Sequence, residues 1–484
     1  VVVPRTGNPE ATATRPAVLI AGLSLVVLTV AVLQTAVVPV LGVIATQLGS
    51  TPAAVSWAVT ANLLAAAAAT PLIGRLADLY SKKRVLLAVL AVVLAGSVLA
   101  ATTASLPLLI VARVLQGASY ALYPISIAVL RTELAEDRLV GAMSILSGTL
   151  GFGGGAGLVV TGLLMSGGAG YHRVFWLTTA FTAVVIVVAA LAVPERRPET
   201  TGAIDWLGAI GLAAGLSAVL LGITQGNAWG WASPATLGLL AAGVVVLAGW
   251  WLWERRVEQP LVSTAMLTRR PILLTNVATA FVGMGLYFAF LGLTQFVQMP
   301  REVAGYGFGA TVLQVSVYFL LPGALTGFVV ALVSGRFIDR YGARRVMAVA
   351  AVAGIAGFVV LAVAHDRAWQ VIVAGVLANA YISLGYGALP ALVVSEVDAA
   401  QTGIATSMNA IARTVGSSVA AAIVAVLIGH ARVPSESSFI VIFIAGAVTA
   451  ALAMVLIAVS RTADRHGQSV QTLSSSRAMN HEWG

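Results

Sequence analysis

Two stretches, Ala17 to Thr46 and Val140 to Met165, contain no charged side chain at all. Each exceeds the about 20 apolar residues that cross a hydrocarbon core of roughly 30 Å at 1.5 Å per residue. Similar runs recur to the end of the chain, which is 59% hydrophobic and only 9% charged over 484 residues. A soluble chain of that length cannot cover so much apolar surface with so few polar groups. Barrel strands in a membrane alternate over about ten residues, and these runs are longer and unbroken. Helices are the remaining way to satisfy every backbone N–H and C=O in lipid, so the predicted class is an all-α polytopic membrane protein. The first run is too long for a signal-peptide core and lacks a cleavage site, so it is expected to stay as a helix.

Fourteen spanning segments are predicted, near residues 17–45, 54–74, 84–103, 107–130, 140–166, 173–193, 206–225, 233–253, 271–298, 309–334, 346–364, 369–393, 402–430 and 438–460. An even number puts both termini on one side. Of the 27 basic residues, 21 then fall on that side, four (Arg173, Arg301, Arg367, Arg432) on the other, and Arg113 and Arg413 within spans. The positive-inside rule makes the arginine-rich side cytoplasmic, giving a multi-pass protein of the cell (cytoplasmic) membrane with both ends inside. It also accounts for the formal charge of +9 without any nucleic-acid partner. No cysteine is present, which removes disulfides and thiolate metal sites. Nor does any His/Asp/Glu metal spacing, nucleophile triad or Walker-type phosphate loop appear, and the loops are too short for a catalytic domain; an enzyme or an ATP-driven pump is therefore not expected.

"GRLADLYSKKR", Gly74 to Arg84, returns 261 residues later as "GRFIDRYGARR", Gly335 to Arg345. Gly74/Gly335, Arg75/Arg336, Asp78/Asp339, Tyr80/Tyr341 and Arg84/Arg345 coincide, and matching strings at matching loops imply two homologous halves. The first copy closes the second span; the second closes the tenth rather than the eighth. Two extra helices therefore lie between the halves. The predicted organisation is a cytoplasmic tail (1–16), a six-helix half (17–193), a linker carrying two extra helices (194–270), a second six-helix half (271–460) and a polar, Ser-rich tail expected to be disordered (461–484).

The loop string after the second helix resembles the signature of the major facilitator superfamily, and six plus two plus six helices is similar to its fourteen-helix drug:proton antiporter branch. "RVLQG" (Arg113 to Gly117), "GNAWGWASP" (Gly226 to Pro234), "AGYGFG" (Ala304 to Gly309) and "MNAIARTVG" (Met408 to Gly416) resemble further segments of that branch. The resemblance covers about residues 17 to 460. It implies a major facilitator fold and secondary active export of drug-like or antibiotic compounds by alternating access. Protons would be exchanged, with the proton gradient as energy source, no cofactor and a monomeric state. Two positions depart from the pattern. Gln34 stands where the branch often carries an Asp in the first helix, and the glycines of the fifth helix lack the usual Gly-Pro pair. Those departures keep open an importer or uncoupled facilitator of the same fold; a non-transporting membrane sensor is the third reading.

The resemblance implies that Gly74, Asp78 and Arg84 form a conformational gate in the first half, with Asp339 and Arg345 as its weaker copy. Asp78 can pair with nearby basic side chains or with the N-terminal dipole of an adjacent helix. Arg113 sits within a span, with Gln116 on its face; it either snorkels to the interface or presents a cation to the cavity. Arg413, one turn after Asn409, poses the same alternatives. All 18 Asp and Glu fall in loops or at helix ends in this segmentation, which leaves the proton carrier unassigned between Glu133, an interfacial glutamate, and His172. Gln34, Asn62, Tyr287, Gln295 and Gln314 are candidate substrate contacts in the midplane cavity between halves, each with the alternative of hydrogen bonding inside the bundle. Gly151, Gly155 and Gly157, with Gly153, give the fifth helix a smooth face for close packing, whether as a static seam or as the surface on which the halves rock.

Overall fold

A computed structural model describes residues 16–37, 40–165, 170–196, 202–428 and 434–460; both predicted tails lie outside these. Among the described residues, fourteen helices are long and apolar enough to cross a membrane. The first half holds α1 (Pro16–Thr35), α2 (Ala54–Leu79), α3 (Lys82–Thr102), α4 (Leu106–Glu133), α5 (Asp137–Leu164) and α6 (His172–Ala192). Two extra helices follow, α7 (Trp206–Trp229) and α8 (Pro234–Glu254). The second half holds α9 (Arg270–Gln298), α10 (Val315–Tyr341), α11 (Ala343–Val363), α12 (Ala368–Val394), α13 (Ala399–Ile428) and α14 (Glu436–Val459).

Local chemistry sets several of these boundaries. Thr51, Ser81, Asp205 and Ser233 cap the starts of their helices by accepting a backbone N–H of the first turn. The first predicted segment divides: α1 ends at Thr35 and a separate short helix runs Leu41–Gln47. Pro39, between them in sequence, has no N–H with which to continue a helix. The repeated strings are less loop-like than expected. α2 runs on to Leu79 and α10 to Tyr341, so Asp78 and Asp339 are helical. What remains of the first loop is Tyr80 and Ser81; the second is Gly342 alone, whose φ of +83° suits glycine.

Large apolar side chains such as Val245 on α8, Leu191 on α6 and Val349 on α11 stand exposed on the outside of the bundle, as a lipid-facing surface requires. The extra hairpin closes on itself through small residues: Gly215 faces Leu247, Gly222 faces Leu240 and Gly243 faces Val219. α7 then lies against both α2 and α13, one helix from each half, and Asn227 donates to the Ala422 carbonyl at 3.1 Å. The halves themselves meet where α5 packs on α10 and α12, α2 on α13, and α4 on α13.

Candidate functional site: a central cavity sealed at one end

Glycines let the halves approach closely. A Cβ on Gly335 of α10 would lie 2.5 Å from Cα of Gly141 on α5, and one on Gly74 of α2 would lie 3.0 Å from the Gly403 carbonyl of α13. Along α5 the glycines serve two partners rather than one. Gly155 faces Ala324 of α10, and Gly151 faces Ser383 of α12, across the interface; Gly153 and Gly157 face Leu28 and Thr35 of α1, within the first half.

The hydrogen bonds that join the halves gather toward the arginine-rich end. Asp78, 3% exposed, accepts the backbone N–H groups of Gly403 at 3.0 Å and Ile404 at 2.9 Å, capping the start of α13. Free N–H groups and the helix dipole make that terminus an anion site, and Lys82 and Arg75 lie within electrostatic reach of the carboxylate. Arg131, two residues before the end of α4, donates to the carbonyls of Val394 and Val397, both at 2.6 Å, and to Thr402 at 3.1 Å. Deeper in, Tyr123 and Ser147 both donate to the Tyr386 carbonyl, at 3.2 and 2.8 Å.

The second copy of the string is not equivalent. Gly335 keeps its close contact, but Asp339 is exposed. The terminus it would cap by symmetry begins Glu136-Asp137, and the Asp137 charge opposes that of Asp339. The α13 terminus carries no acid in its first turn and is free to take Asp78. Arg84 does not face Asp78 either; it pairs on the surface with Glu195, just past the end of α6. Arg345 lies in an exposed apolar groove between α10 and α11.

Above the seal lies a cavity between the halves, lined by Gln34 and Thr35 of α1, the glycines of α5, Tyr287 and Phe290 of α9, Asn379 and Tyr386 of α12, and Arg413 of α13. No Asp or Glu lines it among the described residues. The Arg413 guanidinium lies over the rings of Tyr386 at 4.8 Å and Tyr123 at 5.4 Å, and Tyr120 and Tyr287 are within electrostatic reach of this cluster. Of the predicted substrate contacts, Gln34 and Tyr287 line the cavity, whereas the other three do not. Asn62 is buried, donating to the Arg113 carbonyl at 2.8 Å. Gln295 is exposed, and Gln314 is exposed and accepts the N–H of Thr311.

Arg113 neither snorkels nor lines the cavity. Only 1% exposed, it donates to the carbonyls of Ala58 at 3.1 Å and Leu33 at 3.3 Å and to Gln116 at 2.7 Å. Gln116 passes the chain on to Ser97 at 3.0 Å. Leu33 is in the last turn of α1, where carbonyls have no helical partner, so Arg113 ties α1, α2 and α4 together. Glu133 forms a two-point ion pair with Arg196, at 2.9 and 3.1 Å, away from the cavity. That carboxylate raises the Arg196 guanidinium above its ordinary range through the hydrogen bond and its charge. His172 meets the Thr103 carbonyl at 3.0 Å at the opposite end of the bundle. Sequence reasoning missed Arg131, Tyr123, Tyr386 and Asn379; for Arg131 the signal was a charged side chain at the interfacial end of a span.

The Major Facilitator Superfamily profile matches residues 23–206, 203–421 and 303–477, together most of the chain. The chain belongs to the major facilitator superfamily. Among its superfamily relatives, the Multidrug resistance protein B homolog of Mycobacterium tuberculosis is 26% identical over 79% of this chain and 70% of its own. The Tetracenomycin C resistance and export protein of Streptomyces glaucescens is 28% identical over 77% of this chain and 68% of its own. The Uridine/deoxyuridine transporter of Lactococcus lactis is 28% identical over 67% of this chain and 68% of its own. In fold, the chain is similar to the crystal structure of the human organic anion transporter TETRAN, with a TM-score of 0.64 at 14% identity over 93% of this chain and all of that one. It is therefore a membrane transporter of small molecules with two six-helix halves and two extra central helices.

Proposed function

We propose that the chain exports organic, drug-like compounds across the cytoplasmic membrane by alternating access, in exchange for protons, with its arginine-rich end inside. The observation that carries this reading is the central cavity between the halves, sealed at the arginine-rich end by Asp78, Arg131, Tyr123 and Ser147. Breaking that seal while the opposite end closes moves the same cavity to the other face of the membrane. Aromatic and aliphatic walls with a few convergent polar groups suit a bulky amphipathic solute. Two relatives named for drug resistance and antibiotic export support the outward direction.

A second reading, movement not coupled to protons, is favoured by two features: Gln34 and the absence of any carboxylate lining the cavity among the described residues. The test uses purified protein in liposomes loaded with a pH-sensitive dye, with a proton gradient imposed in either direction and lipophilic compounds and antibiotics added singly. Opposed fluxes of compound and proton, lost in Asp78→Ala, support exchange. Compound flux indifferent to the gradient supports the second reading, and no flux of any compound overturns both.

A further inference from the structure

The charge in the cavity bears on what it carries. Arg413 is 8% exposed, and among the described residues no carboxylate or hydrogen-bond acceptor reaches its guanidinium; the faces of Tyr123 and Tyr386 hold it. Ring faces compensate a cation only in part, and a guanidinium has five N–H donors to satisfy. A buried cation is ordinarily paired. The nearby polar groups do not serve that need. Asn409, one turn earlier, turns its Nδ2 donor to Asn276 and Thr279 at 2.9 and 2.8 Å and makes no hydrogen bond to Arg413, and Gln34 lines the same cavity without bonding to it. We propose that the substrate is an organic anion, an amphipathic molecule whose carboxylate, sulfonate or phosphate is taken by Arg413 while its apolar body lies against Leu286, Phe290 and Phe319.

This rests on the transport reading above. Opposite charges in a site that excludes water attract far more strongly than in bulk, and a cationic solute meets uncompensated like charge. The cavity therefore selects against the cations that a carboxylate-lined pocket would favour. It also bears on energetics. A monoanion leaving a cell that is negative inside moves down the membrane potential, worth about fifty-fold in concentration ratio per 100 mV. An anion exporter thus has a driving force even with no carboxylate in its cavity.

The experiment uses one dansyl scaffold bearing a carboxylate, a carboxamide or a trimethylammonium group, with binding read by fluorescence in detergent and flux read in liposomes. The full chain is expected to bind and move the carboxylate form at least tenfold better than the carboxamide, and the trimethylammonium form least. Arg413→Gln is expected to bring the carboxylate-to-carboxamide ratio to about one, and Arg413→Lys to keep part of it; a residue that only supported packing would leave that ratio unchanged. A preference for the ammonium form, or an anion preference that survives Arg413→Gln, overturns the proposal while leaving transport standing. Charge-selective binding with no flux of any form upholds the anion site and overturns the transport reading. Neither binding nor flux of the three forms overturns both.

Discussion

The carboxylate of Asp78 accepts the backbone N–H of Gly403 at 3.0 Å across the interface between the halves, from a helix 325 residues away in sequence. The companion bond to Ile404 makes the pair a cap on α13 contributed by the opposite half. Hydrogen bonds to a charged group are worth about 1.5–3 kcal/mol each. Losing both moves a two-state equilibrium by at least tenfold. Asp78→Ala is thus expected to open the arginine-rich end. The natural chain has no cysteine, so a single Ser144→Cys, buried at the seal, reports directly. Its labelling by a water-soluble maleimide should rise tenfold or more when Asp78→Ala is added.

Asp339 gives the contrasting case. It occupies the equivalent place in the second string but is exposed, beside the like charge of Asp137. Asp339→Ala is expected to change the labelling of Ser144→Cys by less than twofold, and a change as large as that of Asp78→Ala would show the two strings to be equal gates.

Arg113 is expected to be structural. Arg113→Ala leaves the carbonyls of Ala58 and Leu33 and the amide of Gln116 without their buried donor, at about 1–3 kcal/mol for each group left unsatisfied. Thermal unfolding in detergent should shift down by several degrees, and Arg113→Lys should not restore it, since an ammonium cannot reproduce the guanidinium fork. An unchanged unfolding temperature with lost transport would instead place Arg113 in the transport step.

The two faces of α5 separate packing from motion. A Cβ on Gly155 would lie 2.6 Å from Cβ of Ala324 across the interface, and one on Gly157 would lie 2.6 Å from Thr35 Oγ1 in the same half. Overpacking costs about 1–3 kcal/mol. Gly157→Val should lower thermal stability, because α1 and α5 must stay together in every state. Gly155→Val should lower flux more than stability, since the α5–α10 contact changes as the halves move. Equal losses of stability would make the whole helix a static seam.

How far the sequence foretold this arrangement depends on what kind of partner each residue has. Fourteen spans and two related halves followed from charge-free runs and a repeated string, since lipid leaves a chain few alternatives. Asp78 was legible as a candidate, but its partners are backbone N–H groups at Gly403 and Ile404, which leave no mark in side-chain pattern. Arg84, placed with Asp78 by the resemblance, pairs instead with Glu195, a partner that no motif marks. Among the substrate candidates, Gln34 and Tyr287 line the cavity and Gln295 does not. Phe288–Gly292 is a π-helical turn between Tyr287 and Gln295. Its extra residue rotates downstream side chains by about 100° from a straight helix. A second π turn, Val315–Leu320, follows Gln314. Periodicity cannot anticipate either.

The most direct test of alternating access is a reversible lock across the seal. A Cβ on Gly387 of α12 would lie 3.6 Å from Oγ and 3.7 Å from Cα of Ser144 on α5, which puts the two Cβ atoms about 4 Å apart, within the range a disulfide needs. Ser144→Cys with Gly387→Cys, oxidised in liposomes, is predicted to stop flux of every transported compound, and reduction to restore it. Undiminished flux with the disulfide fully formed would contradict the account, because the arginine-rich end would then never need to open.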